Sequence, residues 1–156
     1  MTLVFSNDFA EVWKNETVGQ SSFYIRKDFK AGEEICDFGA SAILPTPSYL
    51  TIQKDVDEHI CLHPVFLQYI NHSCSPNVFF DISTGKLVCL QDVQAGTEIT
   101  YFYPSTEWDM AAPFQCQCGS SNCLEYIQGA KHIPREVIAG YRISDFIKGQ
   151  LSAVGV

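Results

Sequence analysis

The stretch Tyr69-Ile70-Asn71-His72-Ser73-Cys74-Ser75-Pro76-Asn77 sets an amide, an imidazole, a hydroxyl and a thiol on four consecutive residues directly behind an apolar run. Ser75-Pro76-Asn77 then ends any regular element, because proline biases its neighbour out of helix and the cluster favours a turn. Polar groups packed this densely are costly to bury without partners. Two further stretches look like those partners: Gly96-Thr97-Glu98-Ile99-Thr100-Tyr101-Phe102-Tyr103, and Cys116-Gln117-Cys118-Gly119-Ser120-Ser121-Asn122-Cys123.

Around these stretches the hydrophobic pattern is short and alternating. Val12-Trp13, Phe23-Tyr24-Ile25 and Glu34-Ile35-Cys36-Asp37-Phe38 are each bounded by Asn, Gly or Asp, which favours short strands over helices. Lys30-Ala31-Gly32-Glu33 reads as a turn and Pro45-Thr46-Pro47 as a loop. Tyr49 to Lys54 and Glu58 to Leu62 read as a hairpin around Asp55-Val56-Asp57. Pro64 suits the first position of a short helix through Tyr69, with Phe66, Leu67 and Ile70 as its buried stripe, and this helix delivers Asn71 and His72 to the interior. Val78 to Phe80 and Lys86 to Leu90 form a second hairpin turning at Gly85. Gln94-Ala95-Gly96-Thr97 leads into a last strand, Glu98 to Tyr103. Residues 105–114 read as irregular, and Pro134 to Gly149 as helix interrupted at Gly140, with Ser144 capping a last short turn. The sum is about nine short strands and little helix, a mostly β (α+β) architecture of small sheets.

A chain of 156 residues is one domain by length and buries roughly two thirds of its unfolded surface. Its net charge of -8 argues against direct nucleic-acid binding, which needs a basic footprint, and suits a cationic partner. The first residues hold no basic segment followed by a long apolar run, and no eighteen-residue apolar stretch occurs, so the expectation is an intracellular soluble protein with no membrane partner. Nothing chooses between nucleus and cytoplasm, and oligomeric state is open.

Seven cysteines is an odd number, and without a secretory signal a disulfide framework is not expected. Cys36, Cys61 and Cys89 stand alone in apolar surroundings and read as small buried hydrophobes. Cys116, Cys118 and Cys123 instead crowd one glycine-bearing loop. Three packed cysteines are one reading of the trio, but its polar surroundings favour metal; structural zinc takes four ligands in a tetrahedron, so one is missing, to come from Cys74, His72 or His132.

In this order the three stretches resemble the core of the SET-domain protein-lysine methyltransferases with a post-SET zinc-binding segment, over roughly residues 11–128. The resemblance implies a SET-type β-clip: several small curved sheets, a C-terminal strand threaded beneath a loop, and a zinc-bound post-SET segment. It divides the chain into a SET core (1–104), a post-SET zinc segment (105–130) and a C-terminal helical extension of the same domain (131–156). The activity implied is methylation of a lysine side chain in a protein by S-adenosylmethionine, leaving S-adenosylhomocysteine, and a basic tail such as a histone's suits the acidity.

Residue by residue, the resemblance makes Cys74, Cys116, Cys118 and Cys123 the zinc ligands and brings Asn71 and His72 against S-adenosylmethionine. Tyr103 falls on the catalytic tyrosine. Tyr101 falls where family members carry tyrosine or phenylalanine, and a hydroxyl there implies predominantly monomethylation. Tyr49 resembles an aromatic of the lysine channel, and Phe114 and Leu124 adenine contacts from the post-SET side. One departure stands out: the Gly-x-Gly expected where backbone approaches the cofactor is replaced by Gln20-Ser21-Ser22, whose Cβ atoms occupy space that glycine leaves open, unless Gly19 helps to rebuild the loop. That departure keeps a rival in view, a zinc-stabilised SET-like module that binds a basic peptide without turning it over. A thiol hydrolase built on Cys74 and His72 is disfavoured, since side chains two apart on a turn rarely pair and a zinc-bound thiolate is unavailable.

Overall fold

The structure is a computed structural model and describes residues 1–154. In chain order its strands are β1 (Thr2–Ser6), β2 (Ala10–Lys14), β3 (Ser21–Ile25), β4 (Glu34–Asp37), β5 (Gly39–Leu44), β6 (Thr51–Asp55), β7 (Glu58–His63), β8 (Asn71–His72), β9 (Val78–Asp81), β10 (Lys86–Cys89), β11 (Thr100–Tyr101), β12 (Phe114–Gln115) and β13 (Tyr126–Ile127). Two helices follow, α1 (Arg135–Ile138) and α2 (Asp145–Ala153). The strands form three three-stranded sheets, ordered β1-β2-β3, β4-β10-β9 and β5-β7-β6, and two short pairs, β8 with β11 and β12 with β13. No helix among the described residues is long and apolar enough to cross a membrane.

Alternation does most of the building. Ala10 and Val12 on β2, and Phe23 and Ile25 on β3, turn inward at every second residue and are fully buried. They meet Leu67, Ile70, Phe80, Leu87 and Ile99 in one apolar core. The hairpin of β9 and β10 turns at Gly85, whose φ of 70° lies in the left-handed region and whose N–H donates to Asp81 O at 2.8 Å.

Several elements differ from the sequence reading. The 65–69 segment is a 3-10 turn rather than an α-helix, and Pro64 precedes it with extended ψ of 147°. β5 is an addition, because Gly39-Ala40-Ser41-Ala42 carries no alternation; the edge of β7 supplies its partner. The last core strand keeps ladder geometry only at Thr100–Tyr101, and Pro104, lacking an N–H, sits in the 3-10 turn Tyr103–Ser105 that follows. The interruption near Gly140 is present, but the helix that Ser144 caps by accepting the Ile147 N–H runs on to Ala153.

The site depends on the run 97–103, which lies between β3 and the 71–77 turn and is bonded to both. On one side the Ile25 N–H donates to Thr97 O (3.0 Å) and the Ile99 N–H to Phe23 O (2.8 Å). On the other, β11 pairs parallel with β8, and the Ser73 N–H donates to Tyr101 O (3.0 Å). Asn77 ties the crossing: its Nδ2 donates to Glu98 O (2.9 Å), while its Oδ1 accepts the Thr100 N–H (2.9 Å). This is the threaded C-terminal strand, and its cross-bonds supply the partners the polar turn needs.

Past the crossing, Phe102 anchors a second apolar cluster with Ala130, Ile138 and Ile147, so the C-terminal helices pack onto the residue between the two tyrosines. The Tyr141 ring stacks on Phe102 at a centroid distance of 3.7 Å, and its hydroxyl donates to Cys74 O (2.6 Å).

Candidate active site and metal centre

Each polar group of the 71–74 turn has a task. Asn71 Nδ2 donates to Ser21 O (2.8 Å) and Ser22 Oγ (3.3 Å), fastening the turn to the start of β3. His72 Nδ1 accepts the Tyr103 N–H (3.1 Å). The ring proton therefore belongs on Nε2, which faces Cys74 Sγ at 3.4 Å. Burial pushes the His72 imidazole down to about 4, so it is neutral at pH 7.

These residues open onto a cavity of about 880 Å³. Gln20, Ser21, Ser22, Asn71 and His72 line it, as do Tyr101 and Tyr103 with ring centroids 4.7 Å apart, and Phe114 from β12. Phe114 lies edge-on to both His72 (5.6 Å) and Tyr103 (5.7 Å). Tyr49 also borders the cavity; at 76% exposure it is a rim residue rather than part of the core or of β6. Leu124 is apart from the lining: it packs beside the sulfur cluster, and its N–H donates to Cys74 Sγ (3.3 Å). At the place of the expected Gly-x-Gly, Ser22 Oγ accepts from Asn71 Nδ2 and Gly19 takes a left-handed turn with φ of 74°. Burial raises both phenols, Tyr103 to about 12 and Tyr101 well above its ordinary value, so both are neutral hydroxyls at pH 7.

Beside the cavity, the Sγ atoms of Cys74, Cys116, Cys118 and Cys123 lie within 4.8 Å of one another. Tetrahedral zinc with sulfur at about 2.3 Å sets its ligands about 3.8 Å apart, and Cys74 Sγ stands 4.0 Å from Cys116 Sγ. The set fits structural zinc, with Cys74 rather than either histidine as fourth ligand. His132 is instead bonded to Asp109 at 2.9 Å. Burial pushes the Cys74 and Cys116 thiols up; at Cys118 burial acts the same way but is outweighed by hydrogen bonds from Ser120, bringing it to about 5, a ready thiolate. Among the described residues no cysteine is in a disulfide. Of the three isolated ones only Cys89 is fully buried; Cys36, on the edge strand β4, and Cys61, on the central strand β7, are half-buried.

His72 and Cys74 do approach within hydrogen-bond reach, contrary to the expectation for residues two apart. The pair still makes no nucleophile and base. Nδ1 is already an acceptor, Nε2 is a donor, and Cys74 is 0% exposed among three other sulfurs.

With this geometry in view, residues 41–104 match the family model described as SET domain. The chain carries a SET domain. It is 46% identical over 110 residues to Methyltransferase flvH of Aspergillus flavus, covering 69% of this chain and 61% of that protein. It is 26% identical over 144 residues to Histone-lysine N-methyltransferase trithorax of Drosophila virilis, covering 77% of this chain and 4% of that one. The chain thus spans less than two thirds of the length of these relatives. Among solved structures, KRYPTONITE in complex with mCHG DNA and S-adenosylhomocysteine (SAH) superposes with a TM-score of 0.58 at 22% identity, covering 78% of this chain and 30% of that one; a second KRYPTONITE complex, with mCHH DNA, an H3(1-15) peptide and SAH, gives 0.56. The SET fold is common to them.

Within the SET domain and its C-terminal segment, sequence reasoning missed two groups. Glu107 borders the same cavity, although its neighbours read as an irregular stretch. Its Oε2 accepts the Gln53 N–H (2.8 Å) and the Thr106 hydroxyl (2.7 Å), and the first of these partners is 54 residues away, beyond any local signal. Asn122 and Tyr141 both donate to Cys74 O, a carbonyl whose partners no motif names.

Proposed function

We propose that this chain transfers a methyl group from S-adenosylmethionine to the side-chain amine of a lysine in a protein, with a basic tail such as a histone's as the substrate class and monomethyl-lysine as the main product. The observation that carries this reading is the single cavity that joins Asn71 and His72 to Tyr101 and Tyr103. Relatives and neighbours point the same way: one relative is a histone-lysine N-methyltransferase by name, and one neighbouring structure holds SAH and an H3 peptide.

When bound, S-adenosylmethionine supplies a sulfonium methyl; everything else falls to the protein. Asn71, His72 and the Gln20-Ser21-Ser22 backbone bind the donor on their side of the cavity. The rings of Tyr101, backed by Phe80, and Tyr103 enclose the acceptor end, disfavouring the ammonium form of a lysine whose ordinary pKa is about 10.4. Alignment of amine and methyl can contribute on the order of 7 to 11 kcal/mol of the barrier. The neutral Tyr103 hydroxyl, held by the His72 bond to its own backbone, is available to stabilise charge at the reacting methyl. The net charge of -8 favours a cationic substrate.

A peptide array of lysine-bearing basic sequences, incubated with methyl-labelled donor, tests the reading. Label on lysine, lost in Tyr103→Phe, is expected. An unlabelled array with a protein that still captures basic peptides points to the binding-module alternative.

A further inference from the structure

A lysine arrives as an ammonium and must lose a proton before its lone pair can attack. The groups already assigned do not accept that proton: Tyr101 and Tyr103 are protonated phenols, and both His72 nitrogens are committed, to the Tyr103 N–H and to Cys74. Glu107 differs. It is 8% exposed, yet it borders the cavity that holds the two tyrosines. Oε2 is fixed by Gln53 and Thr106, while Oε1 has no hydrogen-bond partner among the described residues and is not among their sealed, unpaired buried atoms. A carboxylate anchored by one oxygen with the other free is a receptor for a donor brought in from outside.

We propose that Glu107 is the acceptor-side carboxylate of the cavity: its Oε1 receives the ammonium of the incoming lysine and takes one of its protons ahead of methyl transfer. The inference rests on the methyl-transfer reading above and adds a residue to it. The step balances. The N–H bond breaks as a carboxyl O–H forms; the freed lone pair makes the N–C bond while the C–S bond electrons stay with sulfur. A methylammonium and a thioether leave, and the carboxyl proton returns to solvent.

The surroundings suit this. Burial, partly offset by the Thr106 and Gln53 hydrogen bonds, raises the Glu107 carboxyl to about 7, near the optimum for a base at neutral pH. Tyr101 and Tyr103 are the titratable groups that feel its charge; Tyr49, Tyr69, His72, Glu98, Cys116 and Cys118 share the lining, and His59 pairs across β6 and β7 with Gln53. Lys131 and His132, on the segment that pairs with the 107–110 run, are both held by Asp109. No described cation therefore forms an ion pair with Glu107.

Carbon-13 labelling of glutamate carboxyls, with Glu107→Gln to assign the signal, tests this on the whole chain using n-butylammonium as the lysine mimic. The expected result is a Glu107 titration midpoint that falls by a unit or more with saturating n-butylammonium, and about tenfold weaker n-butylammonium binding in the variant. With a lysine peptide, Glu107→Gln should lower kcat by about 10²-fold or more, leaving S-adenosylmethionine binding by calorimetry unchanged. A midpoint that n-butylammonium does not move, or a variant with wild-type kcat, overturns the proposal while leaving the methyl-transfer reading intact. Coupling of Glu107 to n-butylammonium in a protein that methylates no lysine sustains the amine site and removes the methyl-transfer reading instead.

Discussion

Tyr101 is 7% exposed and wedged between Phe80, edge-on at 4.9 Å, and Tyr103 at 4.7 Å. On the proposed methyl-transfer reading, a hydroxyl confined there would compete for the room a second methyl needs. Tyr101→Phe is therefore expected to shift the products from monomethyl-lysine toward di- and trimethyl-lysine, read by mass spectrometry; a wild-type protein yielding mainly trimethyl-lysine would oppose this. Glu107 gives a second residue-scale prediction, on stability. Its folded carboxyl is raised to about 7 from 4.5. Below about pH 4.5 both folded and unfolded chains keep the proton; between about 4.5 and 7 only the folded chain does, so stability falls as pH rises; above 7 the whole cost stands. Glu107→Gln keeps an acceptor for Gln53 and Thr106 while removing the buried charge, and should raise stability at pH 8 by up to about 3 kcal/mol with little change at pH 4, as thermal melts at the two pH values would record. At this scale the Asn-His-Ser-Cys turn and the cysteine trio are legible in the sequence because their chemistry is concentrated in a few consecutive residues. Glu107 is not, since a lone glutamate beside Trp108 looks like a solvated loop charge until Gln53 arrives from β6.

Among the elements, the return from the cysteine loop to the helices hinges on Gly129. Its φ is 112°, and a Cβ there would stand 2.4 Å from Trp108 O and 2.8 Å from Trp108 C, backbone atoms that cannot swing aside. The neighbouring Ala130 N–H donates to Glu107 O (2.9 Å), so this turn also sets the position of the Glu107 backbone. Gly129→Ala should cost at least about 2 kcal/mol, whereas Gly19→Ala, with open space for its Cβ, should cost about 1 kcal/mol from φ alone. Denaturant titration of both variants checks the order. The alternating strands β2 and β3, and the continuous apolar runs of the β9–β10 hairpin on either side of Gly85, are readable from the order of their residues alone. β5, β12 and β13 are not, because strands this short or this poor in large apolar residues exist only where another edge pairs with them. The 19–22 loop is partly readable: the missing glycines are visible, but not the bond from Asn71 to Ser22 Oγ.

Over the whole molecule, three segments distant in sequence converge on Cys74. The cysteine loop supplies three sulfurs, Asn122 and Tyr141 bond its carbonyl, and His72 links it to Tyr103. Because metal binding energy appears as folding energy, zinc here would act as the pin that holds the post-SET segment over the cavity. Chelation should therefore remove hydrogen-exchange protection from residues 114–127 before the β2–β3 and β9–β10 strands lose theirs; simultaneous loss everywhere would mean that the metal supports the entire fold. The general layout follows from the three polar stretches and their order. Beyond the reach of sequence is the way Phe102 turns its back on the cavity to stack with Tyr141, tying the C-terminal helices to the strand that carries both tyrosines. Whether the cavity brings a sulfonium donor beside Asn71 and His72 to a lysine beside Tyr101 and Tyr103 is tested most directly by calorimetric titration with S-adenosylmethionine. One binding site in the wild-type protein, lost in a folded Asn71→Ala variant, is predicted; no heat and no thermal stabilisation of the wild type would contradict it.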